Sequence, residues 1–336
     1  MRALYKRVIL EPSDSDHDCR GAFNPACVRD DEGIHVVYRA SDSQLNATLG
    51  YARLDLGHNI LERATQPLLS PSTDYDRLGI EDPKLIPWGR GTLLLYHAVG
   101  TDEHWVGVGT AAAYTQDFRS FRKLGLVRPF VPFHKILAKV PSTFHPTLRR
   151  LCDEYSKQPA VQTLWGKDLV LFPRKFDGRD LAIYRVPPAI SIAPLDDLLA
   201  DPVFWQSECF DQRRLLLSPM HWFESRSISP SAPPILTSHG WLLIFHCVDT
   251  GTDGNARYTA SAALLDRENP SRVLGRLTEP LLEPEHDWER QGTTGTCVYV
   301  SAVDVIDDTV YVYYGAADVR SAVAAFDLGA VIAAMG

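Results

Sequence analysis

ILERATQPLLSPSTDYDRLG, residues 60–79, and VLGRLTEPLLEPEHDWERQG, residues 273–292, agree at roughly half of their positions, at one constant offset and without gaps. Agreement this dense over about twenty residues marks an internal repeat. A second series runs through the whole chain: HVVYR (35–39), LLLYH (93–97), LAIYR (181–185), LLIFH (242–246) and YVYYG (311–315). These apolar runs recur every 60 to 90 residues or so, longer than a standard propeller blade and consistent with blades that carry insertions. Each is preceded by a short strand-like segment, FNPACVRD, EDPKLIPW, KDLVLFPRK, APPILTSH or TGTCVYVSA, and turns such as DEG, GRG, FDGRD and SHG fit hairpins between them. The pattern predicts an all-β fold, a five-bladed β-propeller forming a single domain over residues 1–336. Helical periodicity is confined to PTLRRLCDEYSK (146–157), inside an insertion around 119–166, to DDLLA (196–200) and to a short C-terminal helix in LGAVIAAMG.

Composition narrows the class of function. The chain has 336 residues, 45% of them hydrophobic and 23% charged, the balance of an ordinary globular protein. A formal charge of -8 argues against nucleic acid or an acidic membrane as the main partner. The six cysteines lack C-x-x-C spacing, so they read as reduced thiols of a cytoplasmic protein and not as a zinc ribbon or disulfide framework. The segment MRALYKRVILEPSDSD has no apolar core of the secretory type, and the apolar stretches are strand-length. The expectation is a protein without membrane contact. No H-E-x-x-H, P-loop or G-x-G-x-x-G context is present, and no metal requirement follows.

In a propeller the innermost strands line a central channel, so equivalent repeat positions converge in space. The starts of these strands supply Asn24, Asp82 and Asp168, with Gly295 opposite Asp82 at the constant offset. After the aromatic of each strand ending come Arg39, His97, Arg185, His246 and Gly315, and Lys167 adds a further charge. Carboxylates facing several such donors suit a polyhydroxylated substrate together with an oxyanion. Any one Asp before Pro, or any one Arg at a strand end, is more often a turn or solvated residue. The joint recurrence is what points to a site.

GIEDPKL, KDLVLFPRKFDGRDLAIYR, APPILTSHGWLLIFHCV, YTASAALLD, EPLLEPEHDWERQG and YVYYGAADV, taken in order, resemble the motifs of glycoside hydrolase family 130, the mannoside phosphorylases and related mannosidases. The resemblance covers about residues 20 to 325. It implies a five-bladed propeller cleaving β-mannosides, mostly by phosphorolysis with inversion, to give α-mannose 1-phosphate. It further implies Asp82 as proton donor, acting through a sugar hydroxyl, and Lys167, Arg185, His246 and Tyr258 as the holders of inorganic phosphate. Asn24, Arg39, Asp168 and Asp318 correspond to positions around the mannosyl ring. The expected partners are an oligosaccharide and phosphate as co-substrate, with no other cofactor; an assembly of identical chains stays open.

Phosphate is already an anionic nucleophile, so a site that holds it with cations needs an acid but no general base. Hydrolysis with inversion needs a second carboxylate for water. Glu224, Glu285 and Glu289 are the candidates for that base in a β-mannosidase, the alternative reading. A sugar-binding propeller without catalysis is the third. Of the tryptophans, Trp105, Trp165, Trp205, Trp222, Trp241 and Trp288, some are candidate sugar platforms, although core packing is the commoner use. His134 and His145 lie in the insertion, and HDW and YDR are read as braces within the blades.

Overall fold

The computed structural model describes the chain apart from residues 102–105, 137–139, 141–145, 147–149, 151–162, 197–203, 207 and 252–253. Most of the helix expected at 146–157, most of DDLLA, Trp105 and His145 lie outside the described residues. The protein is predominantly β, as the repeats imply. All ten repeat segments form strands. FNPACVRD lies in Gly21–Asp30, EDPKLIPW in Gly79–Trp88, and each strand ending falls in the next strand along.

Gly79–Trp88, Gly91–Thr101, Val106–Thr115 and Arg122–Arg128 make one antiparallel sheet in chain order. Leu169–Phe176, Arg179–Val186, Ala189–Pro194 and Leu215–Leu217 make the next. In a third, Ser227–Pro230 and Ile235–Thr237 both pair with Gly240–Thr250, which is followed by Ala256–Leu265 and Val273–Arg276. Val131–Pro132 and Thr163–Leu164 pair as a two-stranded sheet, and the last sheet has eight strands. Half of it runs from Gly21–Asp30 through Gly33–Ser41 and Ala47–Leu54 to Ile60–Arg63. Its other half is Val298–Ile306, Thr309–Ala316 and Arg320–Asp327, with the N-terminal Tyr5–Leu10 added antiparallel to Arg320–Asp327. One parallel bridge, Ala22 to Arg320, joins the halves.

These strands read as nearly continuous apolar runs because both of their faces are covered. Phe172 and Ile183 pack with Trp241, Leu243 and Phe245 of the following sheet, and Leu242 and Ile244 pack with Val298 and Val312 beyond it. Trp241 is 1% exposed and meets the Phe172 ring edge-on at 5.2 Å. Ile80 and Leu94 share a cluster with Val37 and Leu49, and Leu95 and Ile86 share one with Leu169 and Tyr184. The C-terminal helix Leu328–Ala333 forms as expected. The Asp327 carboxylate caps it by accepting from the Ala330 N–H at 2.7 Å, and Val331 is buried against the Leu264 and Phe326 cluster.

Candidate active site

The Asn-Pro and Asp-Pro pairs bend the strands that carry them. In Gly21–Asp30 the register shifts between Phe23 and Ala26, and in Gly79–Trp88 between Glu81 and Lys84, so each strand carries one extra residue there. Proline has no N–H to give to the ladder, so it is tolerated in such a bulge. Asn24 and Asp82, within the bulges, have φ of 51° and 48°, and Asp168 and Asp318 have 58° and 54°. Asn and Asp adopt this left-handed region more readily than other side chains. A bulge re-aims a side chain that regular pleating would point elsewhere. Here the result is convergence.

The Asp82 carboxylate accepts from Asn24 Nδ2 at 2.6 Å and contacts His97 Nδ1 at 3.1 Å. His97 Nε2 accepts from the Asp168 backbone N–H at 3.0 Å, so the ring proton sits on Nδ1 and is donated to Asp82. Arg39 lies 3.5 Å from Asp82 and 2.7 Å from Glu81, whose other oxygen is 3.5 Å from Lys167 Nζ. Asp168 pairs with Arg185 at 3.3 Å and accepts from the Tyr299 hydroxyl at 3.0 Å. The His246 ring stands 4.7 Å from Tyr299 and 6.3 Å from Tyr258, and its Nδ1 meets Ser231 Oγ at 3.1 Å. Asp318 accepts from the Thr294 hydroxyl. A polar cavity of about 820 Å³, lined in part by Tyr258, Thr294, Arg257 and Trp222, adjoins these groups. Farther along the inner strands an apolar cavity of about 260 Å³ is lined by Cys27, Leu85, Pro173, Leu236 and Val303. The polar cavity adjoins the carboxylates and cations of the cluster through Tyr258 and Thr294, so it is suited to sugar chemistry.

Burial by itself would raise the Asp82 carboxyl, but the His97 hydrogen bond and the Arg39 and Lys167 charges outweigh it and hold the group well below the usual carboxylate range. Asp168 is held low against burial by Arg185 first and by Lys167. Asp318 is raised, by burial first and by its acidic neighbours Asp82 and Glu81. Burial pushes His246 down to about 4, so near neutral pH it is an uncharged donor or acceptor and not a cation. Of the four residues expected to hold phosphate, the cations are therefore Lys167 and Arg185.

The groups expected around the mannosyl ring and the proton donor are thus brought together, with Lys167, Arg185, His246 and Tyr258 on the adjoining side. Three contributors are absent from the residues read as a site in sequence. Glu81, Lys84 and Tyr299 have no role in the sequence reading. His97 was visible as a donor at a matched repeat position, and its neutral, two-sided role depends on contacts across sheets.

The candidate bases are elsewhere. Glu289 accepts from the backbone N–H of Glu285 and of His286 at 2.7 and 2.8 Å, from the Tyr314 hydroxyl at 2.7 Å, and pairs with Lys6 at 3.3 Å. Glu224 repeats the arrangement with the N–H groups of Met220 and His221 and with Arg276. The side chain of Glu285 is 58% exposed and pairs with Lys6. At the place of Glu289 in the repeat, Asp76 accepts from the N–H groups of Ser72 and Thr73 and pairs with Lys123. HDW and YDR are therefore braces, as read from the repeat.

The family model described as beta-1,4-mannooligosaccharide phosphorylase matches residues 5–335. The chain belongs to glycoside hydrolase family 130. Among its relatives, a 1,2-beta-oligomannan phosphorylase from Thermoanaerobacter is 30% identical over 96% of this chain and 95% of its own length. A beta-1,2-mannobiose phosphorylase from the same organism is 29% identical over 96% of each. The fold is also that of the beta-1,2-mannobiose phosphorylase from Listeria innocua, with a TM-score of 0.71, 22% identity and coverage of 97% of this chain and 95% of that one.

Proposed function

We propose that the protein is an inverting phosphorylase that cleaves β-mannosides, in particular β-1,2-linked ones, with inorganic phosphate to give α-mannose 1-phosphate. One observation carries the reading: buried Asp82 stands in the field of Arg39 and Lys167, its buried neighbour Asp168 is taken up by Arg185 and the Tyr299 hydroxyl, and Glu224 and Glu289 are spent on braces. Such a site suits an anionic nucleophile and lacks a ready base for water. The names of the relatives, two of them covering nearly the whole chain, support the β-1,2 linkage.

Asp82 is the proton donor in this reading. Lys167, Arg185, His246 and Tyr258 hold phosphate, and Asn24, Arg39, Asp168 and Asp318 hold the mannosyl unit. In the empty site Asp82 is ionised. A phosphate dianion in the cradle cancels the field of Lys167 and Arg185 and lifts the carboxyl toward protonation. Phosphate oxygen then bonds to C1 as the C1–O bond to the leaving group breaks, and the proton of Asp82 passes to the leaving oxygen. The proton carried in by hydrogen phosphate recharges Asp82, so the cycle closes without a base or resident cofactor.

We read the architecture as a closed five-bladed propeller, one catalytic domain over residues 1–336 with an insertion around 119–166. Five hydrophobic clusters support this, each shared by neighbouring sheet units, the fifth uniting Ile34 and Val36 with Tyr313 and Val323. Cytoplasmic residence is supported by Cys19, Cys27, Cys209, Cys247 and Cys297 standing as free thiols. The test of function is incubation with β-1,2-mannobiose, with and without phosphate. Formation of α-mannose 1-phosphate only when phosphate is present is expected. Equal release of free mannose in both would overturn the reading in favour of a hydrolase.

A further inference from the structure

Lys84 directly follows the bulge that carries Asp82, yet it is 2% exposed, and its Nζ has no hydrogen-bond partner among the described residues. A buried ammonium without a partner is costly, and an exception of this kind asks for a function. Four groups face it: Asp82 on its own strand, Asp168 and His246 from the two following sheets, and Tyr299, whose ring centroid is 5.1 Å from Nζ. Burial pushes the amine down to about 8, against the pull of the two carboxylates.

The other cations of the cluster are matched. Arg39 and Lys167 share Glu81, and Arg185 pairs with Asp168. Phosphate entering the cradle would meet Lys167 and Arg185. Lys84 is already enclosed, so its field on the carboxylates persists through the cycle.

We propose that Lys84 is a positioning residue of the reaction: its ammonium is an enclosed counter-charge that adds to Arg39, Lys167 and Arg185 in holding Asp82 and Asp168 as carboxylates in the empty site, and it thereby tunes when Asp82 takes up the proton given to the leaving group. The inference rests on Asp82 as the acid.

The experiment compares Lys84→Met, Lys84→Arg and Asp82→Asn in phosphorolysis of β-1,2-mannobiose across pH 5.5 to about 9.5, with melting curves to verify folding. Removing a cation beside a carboxylate raises its pKa. Activity that needs protonated Asp82 should therefore persist to higher pH in Lys84→Met, its alkaline limb moving up by about one unit. Arginine keeps a charge at every pH, so Lys84→Arg should keep its limb at or below that of the wild type. Superimposed limbs for the methionine and arginine variants, with Asp82→Asn inactive, would overturn the role of Lys84 alone. An active Asp82→Asn would overturn the acid assignment beneath it. Should the methionine variant fail to fold, Lys84→Gln takes its place, with the same shift expected and the same coincidence of limbs decisive against the proposal.

Discussion

Two sets of buried acids, one in the braces and one in the site, are served by adjacent residues on the same strands. Tyr38, Tyr96 and Tyr314 reach Asp18, Asp76 and Glu289, while the next residues are Arg39, His97 and Gly315. Successive side chains of a strand point to opposite faces, so one step along the chain separates a brace from a site. In the braces each acid is saturated by hydroxyl, cation or backbone N–H donors. Asp18, for example, takes the Ser13 and Tyr38 hydroxyls and Arg63. In the site the accounting is left open: Lys84 Nζ, Asn24 Oδ1, Arg39 Nε and Arg185 Nε are buried without partners among the described residues. Saturation gives rigidity, and open valences on a rigid frame are what a substrate can fill.

The sharpest way to break this contrast is to neutralise one acid of each kind. Asp82→Asn removes the proton donor but keeps a side chain of the same shape. Phosphorolysis should fall by about 10³-fold or more, with the melting temperature little changed, since a buried charge is removed along with its partners' interactions. Glu289→Ala should do the reverse. It strands the Tyr314 hydroxyl and two backbone N–H groups and leaves Lys6 to Glu285 and the Glu283 carbonyl, at a cost of about 3–5 kcal/mol, while the folded fraction keeps its KM for phosphate. Calorimetry together with initial rates distinguishes the two. If Asp82→Asn instead lowered stability and spared the rate, the division of labour would be wrong.

How far the sequence could reach follows from the same alternation. The aromatic-then-cation endings mark both faces at once, and the constant offset of the repeat sets Asp76 opposite Glu289. Asp82 is legible through the recurrence of polar residues at matched strand starts, since a lone Asp before Pro is more often a turn residue. The environment of these residues was less legible. The neutral state of His246 follows from burial among Arg185 and Lys84, and the proton placement of His97 from an N–H of another sheet; neither is local. Tyr299 comes from TTGTCVYVSA, where no polar pattern singles out one residue. The N-terminal YKRVIL alternates no more clearly than many loops, yet it pairs with Arg320–Asp327 near the far end of the chain. Long-range pairing of that kind leaves little trace in either partner.

Gly315 tests the site half of the comparison with a single methyl group. It occupies the place held by Arg39, His97, Arg185 and His246 in the other repeats, and a Cβ there would stand 1.8 Å from Asn24 Oδ1. The fifth repeat thus gives up its donor so that the first can seat Asn24 against Asp82. Gly315→Ala should displace Asn24 and lower kcat by roughly tenfold, about 1.4 kcal/mol in the barrier, with a smaller effect on KM for phosphate. An unchanged kcat would mean that the Asn24 contact plays no part in the reaction.

The smallest effect probes the brace half. The Tyr314 hydroxyl donates to Glu289, whereas the hydroxyl of Tyr184, at the matched position two repeats earlier, is buried without a partner among the described residues. Around Tyr184 the acid is replaced by aromatic packing, with the Trp205 ring edge-on at 5.4 Å and Arg128 5.8 Å over its face. Removing a satisfied hydroxyl costs about 1 kcal/mol, and more where it leaves a buried acceptor short of a donor, whereas removing an unsatisfied one is neutral or favourable. Tyr314→Phe should therefore lower stability by about 1–2 kcal/mol and Tyr184→Phe should leave it unchanged or raise it slightly, as read from denaturant midpoints at constant m. Equal losses in the two variants would show that the aromatic ring, not the hydrogen bond to the acid, is what the repeat conserves at this position, and the brace would then be a packing device that merely includes a carboxylate.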